Sequence, residues 1–220
     1  MNKNVMRLLK KDFRLAMHPT VPLMLLSSAM VLIHNYPYSL SFFYTSMGIF
    51  FTCLLGRENR DVVYSLNLPV SKRDIVSSRL LFAVTVELCQ LVLMTPFALL
   101  SQYCIGNVNA AGMDANIALF AEGFAVYGIF NIVFFLVYYS DVNRVGVAFI
   151  GSSAAIFLCI ACDIIFSYTV PLFRDRLDTP DPSSLPAKLT FLGVSILFFV
   201  ICCLMCHTVS VRKFEKQDIC

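Results

Sequence analysis

The sequence has no tryptophan and few charged residues. Asp, Glu, Lys and Arg make up only 14% of its 220 residues, against about 25% in a typical soluble domain. Because 58% of the residues are hydrophobic and the mean hydropathy is +0.75, the chain has too little polar surface to cover a soluble fold. Its 20 phenylalanines and 9 tyrosines exclude a disordered chain. The composition excludes an ordinary soluble enzyme and predicts that lipid surrounds much of the chain.

Other absences exclude further classes of protein. The net charge of +3 is too small to indicate a nucleic-acid partner. No Gly-x-x-x-x-Gly-Lys-Ser/Thr phosphate loop occurs, so we predict that the chain does not itself use ATP. The nine cysteines fall mostly in apolar runs, which excludes a secreted disulfide framework. Cys203-x-x-Cys206-His207 and Cys159-x-x-Cys162 imitate metal-ligand spacing but fall near opposite membrane faces, so we predict no metal site.

Six apolar segments predict six membrane-spanning helices. The first two are short and are separated by an aromatic and polar turn at 34–39, which predicts a tight helical hairpin. Residues 103–114 and 169–187 form the other segments on that side, and none of the three is large enough for a domain outside the membrane. The six segments are residues 21–33, 40–55, 80–102, 115–138, 145–168 and 189–207.

The positive charges predict how the spans are oriented. Of the 17 Lys and Arg residues, 14 lie in residues 1–20, in the loop 56–79, at Arg144 or after residue 207. The other side holds only Arg174, Arg176 and Lys188. Because loops rich in Lys and Arg stay in the cytoplasm, we expect both termini to be cytoplasmic.

The N-terminal residues show a second pattern. Apolar residues recur at helical spacing over 3–17, while five Lys and Arg residues fill the other face. This pattern predicts a basic amphipathic helix lying in the headgroup plane, with residues 1–19 as one interfacial segment. The prolines at 19 and 22 are expected to break the helix before the first span.

Residues 56–79 form the one predicted cytoplasmic loop with structural content. Glu58 to Leu68 predicts a short helix, which Pro69 ends. Ser71 is placed to cap the next helix, with Asp74 completing a capping box. A helix, a sharp break and a second helix predict a rigid elbow at the membrane face.

This loop resembles the ABC-2 type permease signature, which is roughly Glu, a short spacer, then Ser-Leu-Pro-Val-Ser-Arg-x-x-Ile-Val-x-x-Arg. The matching residues here are Glu58-Asn59, then Ser65-Leu66-Asn67-Leu68-Pro69-Val70-Ser71-Lys72-Arg73-Asp74-Ile75-Val76, and Arg79. The sequence departs from this signature by the inserted Asn67-Leu68 and by Lys72-Arg73, where the signature has one Arg. The resemblance to that family extends over residues 1–220 as a single transmembrane domain. It includes an interfacial helix, six spans and both ends inside. The compact form is most similar to short bacterial permeases for amphipathic peptides, such as phenol-soluble modulins, while related members handle antibiotics or lipids.

The resemblance implies that the loop is a coupling helix that docks on a separate ATPase, which would bind ATP and magnesium. The residues implied to contact the ATPase are Glu58, Asn59, Arg60, Asp61, Ser65, Leu66 and Leu68. Those implied to form the returning turn are Pro69, Val70, Ser71, Lys72 and Arg73. The implied protein is a homodimeric exporter in a bacterial cell membrane, with two ATPase subunits and an amphipathic peptide or other hydrophobic substrate.

Three acids lie within the predicted spans, at Glu87, Glu122 and Asp163. Since charge in lipid is costly, they are expected either to line a polar translocation path or to be hydrogen-bonded inside a dimer interface. Two alternative functions remain open. A proton-driven secondary transporter would use Glu87 or Glu122 as its carrier. An intramembrane serine protease would need Ser153 to reach His207.

Overall fold

A computed structural model describes residues 2–106, 109, 111–179 and 184–217, which form helices and turns without a strand. Residues 180–183 of the predicted segment 169–187 lie outside the described residues. Wider π-helical turns continue α1 over Asp12–Ala16 and α5 over Leu100–Ile105, and another covers Phe173–Leu177. The helices are α1 Lys3–Lys11, α2 Thr20–Leu25, α3 Leu40–Glu58, α4 Asp61–Leu66, α5 Lys72–Leu99, α6 Ile117–Tyr138, α7 Val145–Thr169 and α8 Leu185–Glu215.

Five of the described helices, α3 and α5 to α8, are long and apolar enough to cross a membrane, and a bent N-terminal pair makes up to six. The multi-pass helical fold is therefore confirmed. The segment predicted as the first span is shorter than the others and is counted only together with the N-terminal helix across the bend. It consists of α2 and the 3₁₀-helix Leu26–Leu32, which together extend about 23 Å at about 1.5 and 2.0 Å per residue.

The predicted N-terminal helix is present, and it is bent by 90° from the α2 segment. Its apolar side packs on α5, where the rings of Phe13 and Phe82 lie 4.8 Å apart. The side chain of Asn2 caps its first turn and also donates to Asp74 at 2.9 Å. Four of its five basic residues, Lys3, Arg7, Lys10 and Arg14, are exposed.

The loop after α3 folds into an elbow, but not as one helix over 58–68. Glu58 is instead the last residue of α3, whose end is closed by a bond from the Asn59 N–H to the Leu55 carbonyl. Arg60 then adopts a left-handed conformation with φ of 51°, which turns the chain before α4 begins. The predicted capping box is confirmed, because Ser71 and Asp74 exchange both hydrogen bonds at the start of α5.

The first and last residues that the structure describes lie at the same face of the bundle. Lys72, at the start of α5, donates through Nζ to the Gln217 carbonyl at 2.7 Å. Lys213 donates to the Leu136 carbonyl at 3.0 Å and so caps the end of α6. We call this end, which also carries α1 and α4, the elbow face. The other end, with the turns at 33–39 and 111–116, is the opposite face.

Helix α6 lies at the centre of the bundle. It packs against α7 and α8 most extensively, and its Phe130, Phe134, Phe135 and Tyr138 are all at most 1% exposed. By contrast, α7 and α8 keep wide apolar faces open, as helices that face lipid do.

Gly123 of α6 allows the closest approach in the core. A Cβ there would lie 2.8 Å from Phe42 Cζ and 3.0 Å from Leu91 Cδ2. Phe42 is fully buried, so its ring has no space to move. We expect Gly123→Ala to destabilise the protein by roughly 1–3 kcal/mol through overpacking, measured as a lower thermal unfolding midpoint in detergent. Gly146→Ala is the control, because a Cβ at Gly146 meets nothing within 4 Å; equal midpoints for the two variants would contradict the close packing.

Candidate functional site

The elbow face carries a buried ionic network centred on Asp61, the first residue of α4. Lys11 of α1 donates through Nζ to Asp61 Oδ1 at 2.7 Å and to Ser65 Oγ at 2.7 Å. Arg79 of α5 donates through Nη2 to Asp61 Oδ2 at 2.5 Å. One carboxylate therefore joins the N-terminal helix, the short elbow helix and the first long helix after it.

A second carboxylate, Asp12, supports the same cations. Its Oδ1 lies 3.5 Å from Lys11 Nζ and 3.5 Å from Arg79 Nη2. Its Oδ2 accepts a hydrogen bond from Ser78 Oγ at 3.2 Å. The network thus contains two cations and two anions, and its formal charges cancel.

The four charged side chains of this network are largely shielded from water. The side chains of Asp12 and Arg79 are 2% and 5% exposed, and those of Lys11 and Asp61 are 13% and 14% exposed. Charges this far from water are tolerated only when they are paired and hydrogen-bonded. Since the partners belong to different helices, a change in the position of one helix is transmitted to the others.

The twelve predicted elbow residues separate into two groups. One group is open to a partner, because its side chains are exposed: Glu58, Asn59, Arg60, Pro69, Ser71 and Arg73. The other is partly or fully covered: Asp61, Ser65, Leu66, Leu68, Val70 and Lys72. In the second group, Asp61 and Ser65 are bonded to Lys11, and Lys72 anchors the end of α8.

Sequence reasoning missed Lys11 and Asp12 and assigned no role to Arg79. A signal for Asp12 was present, because it lies four residues from both Leu8 and Ala16, which are buried on the same side of the N-terminal helix. A carboxylate at an apolar-face position of an amphipathic helix indicates a partner. The partners from another helix are Ser78 and Arg79 of α5, which no local pattern could identify.

The three intramembrane acids form two separate sites. Glu87 is fully buried, and its Oε2 accepts a hydrogen bond from Asn131 Nδ2 of α6 at 2.9 Å. Glu122 and Asp163 come together nearer the opposite face, where Ser39 Oγ lies 2.9 Å from Glu122 Oε2 and 3.3 Å from Asp163 Oδ2. Glu122 and Asn131 are nine residues apart on α6, so about 13 Å separates the sites.

A third group of polar residues lies next to the Glu122–Asp163 site, on its side toward the opposite face. The N–H of Asp114 donates to Asp178 Oδ1 at 2.7 Å, and the N–H of Asn109 donates to Asp114 Oδ1 at 2.6 Å. Asn116 caps α6 and donates to the Leu177 carbonyl. These bonds hold the segment before α6 against the turn after α7.

The residues of the alternative function, an intramembrane serine protease, do not come together as that chemistry requires. His207 Nε2 lies 2.8 Å from Ser77 Oγ of α5, so its hydroxyl partner is not Ser153. No three His, Cys, Asp or Glu side chains group as metal ligands among the residues described.

The helices and the elbow define a multi-pass helical membrane protein with a braced segment at one face. A family model described as ABC-2 family transporter protein matches residues 7–215. The chain therefore belongs to the ABC-2 transporter family. That family supplies the membrane component of transport, generally has no ATPase site of its own and normally works with an ABC ATPase partner. Comparisons with curated proteins and with solved structures gave no match.

The ionic network predicts a specific cost of neutralising Asp61. Asp61→Asn keeps the size of the side chain but leaves Lys11 and Arg79 with one carboxylate between them. We expect the free energy of unfolding to fall by about 3 kcal/mol. This is the lower end of the range for breaking a buried ion pair, because Asp12 still pairs with both cations. Asp141→Asn is the control, because the Asp141–Arg144 pair is exposed and should be worth less than about 1 kcal/mol. Equal thermal unfolding midpoints in detergent for the two variants would contradict the network's role.

The outer polar group predicts a dependence of stability on pH. Burial, with repulsion from Asp114 and Asp163, raises the pKa of Asp178 from 3.8 to about 6, although Lys188 and the Asp114 N–H oppose the shift. Between about pH 4 and 6 the folded chain therefore holds a proton that the unfolded chain has lost, so this group adds stability as the pH falls. Asp178→Asn retains an acceptor for the Asp114 N–H and removes the charge.

We expect Asp178→Asn to be more stable than the parent chain at pH 7.5, with the difference disappearing near pH 4. The measurement is the thermal unfolding midpoint of both proteins across this range. Asp175→Asn is the control, because Asp175 is exposed and its hydrogen bonds from Arg174 lower its pKa. A constant difference between parent and Asp178→Asn would exclude titration of Asp178 as the cause.

Proposed function

We propose that this chain is the permease subunit of an ABC exporter, in which two copies form the translocation path. The elbow face would lie in the cytoplasm of a bacterial cell, with both termini, and two ATPase subunits would dock there. These ATPases would bind ATP and magnesium, and the permease would contribute no cofactor.

The observation that carries this proposal is the bond network around Asp61. Helix α4 has only six residues, and so short a helix is not stable by itself. Its bonds to Lys11 and Arg79 fix it to α1 and α5. A push on α4 from a soluble partner would then tilt two longer helices, as rigid-body coupling requires.

The proposal assigns different tasks to the two sides of the elbow. Glu58, Asn59 and Arg60 lie at the exposed break between α3 and α4 and would contact the ATPase, together with the exposed side chain of Tyr64. Asp61 and Ser65 face α1 and would transmit the movement. Pro69 to Arg73 would set the angle at which α5 enters the membrane.

The membrane-spanning helices support a proposal for the translocation path and for the cargo. The open apolar faces of α7 and α8 are available for a second copy or for lipid. We propose an amphipathic peptide as cargo, supported by the similarity to short peptide-exporting permeases and by the short segments at the opposite face. Glu122 and Asp163 would attract cationic groups of such a cargo when the path opens.

Charge reversal at the elbow tests the proposal. Glu58 is exposed and pairs with the neighbouring Arg57 at 3.3 Å, so Glu58→Lys should leave folding intact. We expect the tagged parent chain, extracted from its native membranes, to co-purify with a stoichiometric ATPase that Glu58→Lys loses. Glu215→Lys, an exposed helix-end glutamate at the same face, should retain it.

Two results would contradict the proposal. If no ATPase co-purifies with the parent chain, the energy source must be different. The buried Glu87 and Glu122 would then favour the proton-driven secondary transporter. If Glu58→Lys and Glu215→Lys bind the ATPase equally, docking occurs away from the α3–α4 break.

A further inference from the structure

A cavity of about 530 Å³ opens between α5, α6 and α8 in the half of the bundle nearer the opposite face. Its walls come from Thr95 to Tyr103 of α5 and its π-helical end, from Ala115 to Phe124 at the start of α6, and from Leu185 to Leu192 at the start of α8. Eight residues of helix separate Asn116 from Phe124, so the cavity is about 12 Å deep.

Most polar residues of the lining lie at one end of this depth, beside the apolar Ala115, Ile117 and Leu185, and Thr95 lies at the deep end. Gln102, Tyr103, Asn116 and Lys188 lie at the end near the opposite face, and each carries a hydrogen-bond donor. Lys188 also donates to the Thr179 carbonyl. The deeper part is lined by Ala98, Phe120, Phe124 and Leu192. Within the described residues, no carboxylate lines the cavity.

The surroundings limit what can fill this space. The three helices that form it are membrane-spanning, so the medium outside is lipid. The apolar deep part of the cavity does not hold ordered water, and leaving it empty would forfeit the van der Waals contacts of its lining. A polar end at the headgroup level and an apolar end toward the midplane match the direction of a lipid in the adjacent leaflet.

We propose that this cavity is a binding site for a phospholipid of the leaflet at the opposite face. One acyl chain would lie between Ala98 and Phe124, and the phosphate would accept hydrogen bonds at the rim from Gln102, Tyr103 and Lys188. This site is separate from the elbow and borders the outer polar group through Asn116 and Lys188, and the proposal holds whether or not the chain exports a peptide.

The absence of tryptophan permits a direct test. Phe124→Trp introduces a single tryptophan at the deep end of the cavity, and the full chain is reconstituted into vesicles of dioleoyl phosphatidylcholine or of the same lipid brominated on its acyl chains. Bromine quenches tryptophan only at close contact. We expect the brominated lipid to quench the fluorescence of the Phe124→Trp variant. We expect added Thr95→Phe, which fills the cavity from its wall, to abolish most of that quenching.

Matched controls separate the cavity from the general lipid surface. Val92→Phe, on the same helix and 70% exposed but not on the cavity wall, should leave the quenching of the Phe124→Trp variant unchanged. Phe134→Trp, at a fully buried position, should not be quenched. If Phe124→Trp does not fold, Leu192→Trp on the opposing wall is the second reporter.

Three outcomes would overturn the proposal. Unquenched tryptophan at both reporter positions would show that the acyl chain stays out. Quenching that Thr95→Phe does not reduce would show contact with lipid outside the cavity. Quenching that appears only when the chain is diluted in the membrane would show that a second copy of the chain covers this face.

Discussion

A carboxylate shared by two cations beside an apolar phase holds the elbow face together. Asp61 binds Lys11 and Arg79 at once, and in a low-dielectric setting neither cation can lose its partner without a large cost. The direction of α1, the position of α4 and the entry of α5 into the membrane all depend on this arrangement. The capping box of Ser71 and Asp74 adds a second fixed point, so the elbow is held at two places.

Much of the fold could be predicted because lipid imposes simple rules on a sequence. Long apolar runs gave the five long spans, and the basic amphipathic pattern gave the N-terminal helix at an angle to them. Ser71 was identified as a cap because the motif is local. The break between α3 and α4 was not predicted, because it depends on Arg60 adopting a left-handed conformation that its residue type does not favour.

The candidate sites were harder to predict, because their members come from distant segments. Each intramembrane acid was visible from its cost in lipid, but the pairing of Glu122 with Asp163 depends on Ser39. That serine lies in the turn 34–39, whose sequence predicted only the turn of a helical hairpin. Likewise, Asp61 looked like a surface residue of a charged loop. Its burial follows from α1 folding back along α5, a tertiary contact that residue spacing does not encode.

The short first span has a consequence for the membrane itself. Together, α2 and the 3₁₀-helix Leu26–Leu32 extend about 23 Å. A hydrocarbon core is about 30 Å thick, so the bilayer beside this segment must thin or the flanking side chains must reach outward. This hydrophobic mismatch falls next to the 90° bend that connects α2 to α1. Bilayer thickness therefore acts on the bend that positions Lys11, and a thicker membrane would strain the elbow without touching any of its residues.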